Sequence, residues 1–243
     1  MRLLIIGIQL VSHLLCQSIY AQTTELINTD RPDQSDGTHT MTKNTFQLES
    51  GCIVGKNIHS YFLQNNMLRY GITASTEIRL LFDYGRVGSE IGIIAPGISV
   101  KQFLLTQKRW FPEITAVGYI RLPYLATDNF KTDRPAATFL LAFQNTISDR
   151  ISIGYNLGTT FDGDNAYKTW IITTSIGYSP AKKISFFAEY FSSFENVLRP
   201  SHNIDAGVLW LVKNNFQIDM AIGTTLAQNV TNTFLTTGIS YRF

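Results

Sequence analysis

Cysteine is almost absent from this chain. The sequence holds only Cys16 and Cys52. Cys16 falls in an N-terminal leader, so no intrachain disulfide and no cysteine-built zinc site can brace the rest. Clustered charge is missing as well. The formal net charge is +2, and its ions are scattered singly, which excludes the basic patch that a nucleic-acid partner requires. Beyond the leader no apolar run approaches the ~18 residues of a spanning helix. Catalytic signatures are missing too: H-E-x-x-H, G-x-S-x-G and the phosphate-binding Gly loop do not occur. No metal-ligand spacing or cofactor motif is found, so neither a metal nor a cofactor is expected.

What is there begins with Met1-Arg2, an apolar run from Leu3 to Leu15, and the small Ala21. A basic start, a short greasy core and a small final residue make a secretory signal over residues 1–21, cleaved after Ala21. Cys16 offers a lipoprotein alternative, but Leu14 and Leu15 before it are bulky where small residues are needed. Cleavage removes Arg2 and no acid, leaving 19 basic against 18 acidic residues, or +1. Residues 22–43 follow, polar and without period. They carry Asp30-Arg31-Pro32-Asp33-Gln34-Ser35-Asp36-Gly37, and they read as a segment lying in the periplasm or tucked into a barrel mouth.

From residue 44 to the end, the pattern is strand, break, strand. The closing stretch is the cleanest: Leu235, Thr237, Ile239, Tyr241 and Phe243 alternate with Thr236, Gly238, Ser240 and Arg242. Successive strand side chains point to opposite faces, so one face is greasy and the other polar. The same alternation runs through Ile78-to-Tyr84, Ile151-to-Phe161 and Phe216-to-Ile222. About twelve strands of about 9–12 residues result, the length that crosses a bilayer at a tilt. Soluble sandwich strands are shorter, near 5–6 residues. The expected fold is therefore all-β, a transmembrane antiparallel up-and-down β-barrel spanning residues 44–243. Its setting would be the outer membrane of a Gram-negative bacterium. Short breaks (71–76, 106–110, 148–150, 179–183, 213–215) alternate with longer ones (55–60, 86–97, 126–134, 162–169, 195–203, 227–233), as periplasmic turns alternate with outer loops. Tyr70, Trp110, Tyr178, Phe216 and Tyr241 fall near the short turns, where an aromatic girdle belongs.

The polar faces carry Glu49, Arg69, Glu77, Arg79, Asp83, Lys101, Glu113, Arg121, Glu189, Asp205, Asp219 and Arg242. In a barrel these face the lumen. They form either a polar path for a small solute or a set of paired charges that fills a narrow interior; twelve strands lie between filled eight-stranded and open 16–18-stranded barrels. His39, His59 and His202 are isolated, so a membrane-embedded hydrolase has no triad context to support it. Asp162-Gly163-Asp164-Asn165 misses the EF-hand spacing and reads as a loop tip. Thr-Asp-Arg-Pro occurs twice, at 29–32 and 132–135, too short to signal a repeat architecture.

The strings Thr29-Asp30-Arg31-Pro32-Asp33, Phe46-Gln47-Leu48-Glu49-Ser50-Gly51, Leu68-Arg69-Tyr70-Gly71 and Glu189-Tyr190, with the closing Gly238-Ile239-Ser240-Tyr241-Arg242-Phe243, together span nearly the whole mature chain. On these, it resembles the transporter-like outer-membrane proteins associated with the meta pathway of phenol degradation. The resemblance implies a monomeric-looking barrel in contact with outer-membrane lipid, with a role in taking up aromatic or other hydrophobic solutes. The terminal aromatic resembles the signal by which barrel-assembly machinery engages the last strand. Asp30, Arg31 and Asp33 match the family's N-terminal motif and are expected to dock inside the lumen. The resemblance carries no catalytic residue.

Overall fold

The alternation dictates a closed sheet, and the computed structural model has one. It describes residues 26–163, 168–195, 199–226 and 232–243; the leader, with its cleavage site and Cys16, and Asp164-Asn165 lie outside the described residues. Twelve strands run in chain order: β1 (Phe46–Lys56), β2 (Ser60–Gly71), β3 (Thr76–Val87), β4 (Glu90–Leu105), β5 (Glu113–Arg121) and β6 (Ala136–Ser148), then β7 (Ile151–Phe161), β8 (Lys168–Ala181), β9 (Ile184–Glu195), β10 (Ser201–Lys213), β11 (Phe216–Leu226) and β12 (Thr233–Arg242). Each pairs antiparallel with its sequence neighbours. The barrel closes where β1 meets β12, from Gln47↔Arg242 to Lys56↔Thr233. Closure leaves no unpaired sheet edge, which a wall in lipid requires.

The wall is inside out by soluble standards. Leu235, Ile239, Trp210, Ile172 and Ile222 point outward and are exposed, while Glu77, Arg79 and Lys101 are wholly buried within. The one inward apolar cluster among the described residues is small, Val117, Leu140 and Ala142 on β5 and β6. Outward aromatics band the short-turn end. Phe46 stacks on Tyr70 with ring centroids 4.4 Å apart, and Tyr241 lies edge-on to Phe243 at 5.0 Å. Trp110, in the β4–β5 turn, is also exposed.

Two breaks expected to be long loops are not. Residues 86–97 are mostly strand: β3 and β4 continue to a two-residue turn at Gly88-Ser89. Pro96 reads as a breaker, but the ladder shifts register between Gly97↔Leu81 and Ile94↔Asp83. Such a bulge accommodates a residue with no N–H to donate. Residues 55–60 likewise shrink to a three-residue turn, 57–59. The longest described connection, between β5 and β6, carries two short 3₁₀ turns at Pro123–Leu125 and Asp128–Phe130. It lies against β4, where the Thr127 Oγ1 accepts the Ile93 N–H at 2.9 Å. Gly92 permits this approach, since a Cβ there would collide with Thr127.

Candidate functional site in the barrel lumen

The charged residues in the body of the strands sit at inward positions, so the barrel concentrates them in one space, while Lys56, Arg86 and Lys168 near strand ends are exposed. All twelve residues of the polar face, from Glu49 to Arg242, turn inward, and the structure adds what the strands alone could not show. Residues 26–45 fold into the lumen as an inward loop. The loop enters at the short-turn end, where the Ile27 N–H donates to the Asn214 carbonyl at 2.7 Å. It leaves at the same end, where Lys43 bridges Gly71. Its tip, Asp33 to Ser35, reaches about half-way along the wall. There the Gln34 N–H donates to Glu189 Oε2 at 2.7 Å and Ser35 Oγ donates to Glu189 Oε1. Residues 26–43 thus lie in the lumen; residues 22–25 of the expected segment lie outside the described residues.

Two charged walls hold the loop. On the basic wall, β2 to β4, Arg69 binds Glu49 at 2.6 Å and Glu77 at 2.7 Å, and Arg79 binds Glu77 at 2.7 Å. Into this layer the loop inserts Asp30, paired with Arg69 (3.4 Å), Arg79 and Lys101 (3.0 Å). Asp36 follows, bonded to Arg79 at 2.7 Å and to the Tyr119 hydroxyl at 2.5 Å. Burial alone would raise the Asp30 carboxyl; Arg69, Lys101 and Arg79 overturn that and hold it well below the usual carboxylate range. On the acidic wall, β9 to β11, Arg31 pairs with Asp219 at 3.2 Å and donates to Thr236 at 3.0 Å. Its guanidinium lies over Gly51 and Gly238, which face each other across β1 and β12. A side chain at position 51 would overlap it.

The remaining predicted positions fall into place around this plug. Asp83 pairs with Arg121 at 2.9 Å on the long-loop side. Glu113 accepts the Thr38 hydroxyl, and Arg242 donates to the Leu26 carbonyl. Asp33 carries no ion pair among the described residues; burial raises its carboxyl well above the usual range, and Glu189, Asp30 and Asp205 push it further. The plug divides the lumen. A cavity of about 490 Å³ lies toward the long loops, lined by Asp33, Asp36, Asp83, Tyr119 and Arg121. Another of about 790 Å³ opens at the short turns, lined by His39, Met41, Gln47, Arg69 and Arg242.

The histidines do not assemble a catalytic group. His39 and His59 are exposed, and His202 Nδ1 bonds the Tyr190 hydroxyl at 2.6 Å. Among the described residues no set of three or more His, Cys, Asp or Glu is placed to hold a metal ion. Sequence reasoning missed the loop's neutral anchors: Asn156, which accepts the Asp36 N–H at 2.8 Å, and Thr115, which donates to the Thr38 carbonyl at 2.6 Å. Their only sequence signal is a polar residue at an inward position. Both Thr-Asp-Arg-Pro strings repeat one contact, Thr Oγ1 donating to the Arg carbonyl.

A closed, inside-out sheet with a charged, plugged interior defines a transmembrane β-barrel of the outer-membrane, porin-like kind. The chain belongs to the family described as "Putative MetA-pathway of phenol degradation", matched over residues 29–243. Among solved structures it is similar to an outer membrane channel from Pseudomonas putida F1. The two share 11% identity with a TM-score of 0.65, over 88% of this chain and 100% of that one. It is also similar to the NanC porin (6% identity, TM-score 0.63, 80% and 98% covered) and the KdgM porin (10%, 0.60, 80% and 99%). At these identities the likeness is one of fold. No curated protein matches the sequence.

Proposed function

We propose that this protein is an outer-membrane channel for small solutes, shut at rest by its own inward loop. The observation that carries the reading is the partition itself. Two cavities face opposite ends of one lumen and are separated by a single layer of non-covalent contacts around Asp30. A barrel that served only as a wall would fill its interior with mutually satisfied wall residues. Here the filling is a segment whose ends both lie at one mouth, so it can leave without breaking a strand pairing. The exposed apolar belt would sit in the outer membrane of a Gram-negative bacterium, with the short turns and residues 26–45 on the periplasmic side and the longer connections outside. The closing strand, ending on Phe243, would engage the barrel-assembly machinery. The family description favours small aromatic solutes, and the charged walls favour solutes that also bear a polar group. Conductance of the full mature chain in planar bilayers tests this. Wild type is expected to show mostly closed traces with brief openings, and variants that loosen the loop should stay open longer. A barrel that neither wild type nor loosened variants make conductive would overturn the reading.

A further inference from the structure

The basic wall is saturated by its partners, and the acidic wall is not. Arg69, Arg79 and Lys101 all end on carboxylates, and Arg31 is taken by Asp219. That leaves Asp33, Glu189 and Asp205. Glu189 and Asp205 are register partners on β9 and β10, side by side and both inward. Asp33 is brought to them by the tip, whose next two residues bond Glu189. No cation among the described residues pairs with any of the three. Asp205 is 5% exposed, and neither of its carboxylate oxygens has a hydrogen-bond partner. A buried carboxylate without a cation is costly; Glu189 has only neutral donors and Asp205 has none, and with Asp33 beside them they mark a place shaped for something positive. Asp33 also lines the outward cavity of about 490 Å³, so it is approachable from the long-loop side, while Glu189 and Asp205 line a separate cavity of about 850 Å³.

From this geometry we infer that Asp33, Glu189 and Asp205 form a subsite for a small organic cation, the ammonium head of a primary amine. An ammonium has three N–H donors and no acceptor, which suits an acceptor-only surround. A divalent metal would need a fuller oxygen shell at about 2.3–2.6 Å, and the described residues provide no such set. The neighbouring surface suits an apolar body behind the charge. The Phe234 ring lies against Gly223, beside the Asp205 Cβ, and the Phe187 ring lies against Gly207. Aromatic rings beside carboxylates stabilise alkylammonium groups by cation–π attraction. The ligand contacts Asp33 and Glu189, and Asp205 adds field from behind. Because Asp33 belongs to the loop and Glu189 to the wall, an ammonium between them also ties the loop in place. The Asp33 carboxyl, raised by burial and by Glu189, Asp30 and Asp205, makes the bound cation displace a proton, so binding should tighten as pH rises.

This subsite rests on the channel reading for its biological sense but not for its test. The folded full chain in detergent micelles is titrated calorimetrically with benzylammonium chloride at constant ionic strength. Benzyl alcohol serves as the neutral isostere and calcium chloride as the divalent arm. Saturable binding of benzylammonium is expected, weakened at least tenfold by Asp33→Asn and by Asp205→Asn, with benzyl alcohol giving no saturable heat. Heat-modifiable gel mobility confirms that each variant is folded; if Asp205→Asn fails to fold, Asp33→Asn at the loop tip decides alone. Equal binding of the alcohol, or unchanged binding by the folded Asp33→Asn variant, overturns the subsite, and so does calcium binding more tightly than the ammonium. A protein that binds the ammonium but never conducts would refute the channel and leave the subsite standing.

Discussion

Replacing Asp30 by Asn is the sharpest test of the plug. Among the described residues Asp30 is the only carboxylate within ion-pair distance of Lys101, whose side chain is fully buried. Asn keeps the shape and removes the charge, leaving Lys101 only its register neighbour Glu77, which Arg69 and Arg79 already share, while the loop is docked. Breaking a buried ion pair from one side costs about 3–5 kcal/mol. At 1.4 kcal/mol per decade, the docking equilibrium falls by about two to three and a half decades. The loss falls on docking rather than on the barrel, because an undocked loop lets water reach Lys101. The assay is open probability in planar bilayers, read beside heat-modifiable gel mobility as a check that the barrel is intact. A docked fraction of about 99% in wild type would fall to about half or less. The acid response should change as well. Asp30 is held below its ordinary value, so it stabilises docking above about pH 4, and this is lost as pH falls toward its docked value. Wild type should therefore open in strong acid, and Asp30→Asn should lack that step. An intact variant with wild-type open probability and an unchanged acid response would refute the account.

Other expectations follow from single contacts. Gly51→Ala should fold normally yet loosen the loop, since the three atoms nearest its Cβ all belong to the Arg31 guanidinium; losing that charged anchor costs about 1.5–3 kcal/mol of docking, seen as longer openings. Asp33 has a raised carboxyl, so the docked loop holds its proton more firmly than the free loop does. Docking through this group should weaken as pH rises from about 4 through the docked value, and Asp33→Asn should flatten the slope of open probability across that range. Ile222→Lys, outward near the middle of β11, should cost about 2–4 kcal/mol in folding titrations from lipid vesicles. Ile218→Lys, nearer the short-turn end of the same strand, should cost less.

The facing of the wall was legible because lipid imposes a rule of period two. Ile239 must differ from Ser240, and Arg79 from Leu80, whatever lies elsewhere in the chain. The lengths of strands β3 and β4 were not legible, since Pro96, Gly92 and Gly97 are break signals that a bulge and a covering loop absorb. The inward loop was legible only as a polar string matching a family motif. Its partners lie far off in sequence, from Lys101 to Glu189 and Thr236, and no local periodicity encodes a docking of that range. One hint was available, that inward Gly51 and Gly238 share a register and leave a space where side chains would stand. The orphan status of Asp205 was invisible, because it depends on where Arg31 goes.

Since residues 26 and 45 both stand at one mouth, the plug has the geometry of a drawn knot rather than of a threaded rod. Traction on the chain before Leu26 would load Ile27 first, then Asp30 and Arg31, and Glu189 last. Contacts broken one after another yield to far smaller forces than contacts sheared at once. On the channel reading proposed above, a weak mechanical tug at that mouth would thus be enough to uncork the lumen.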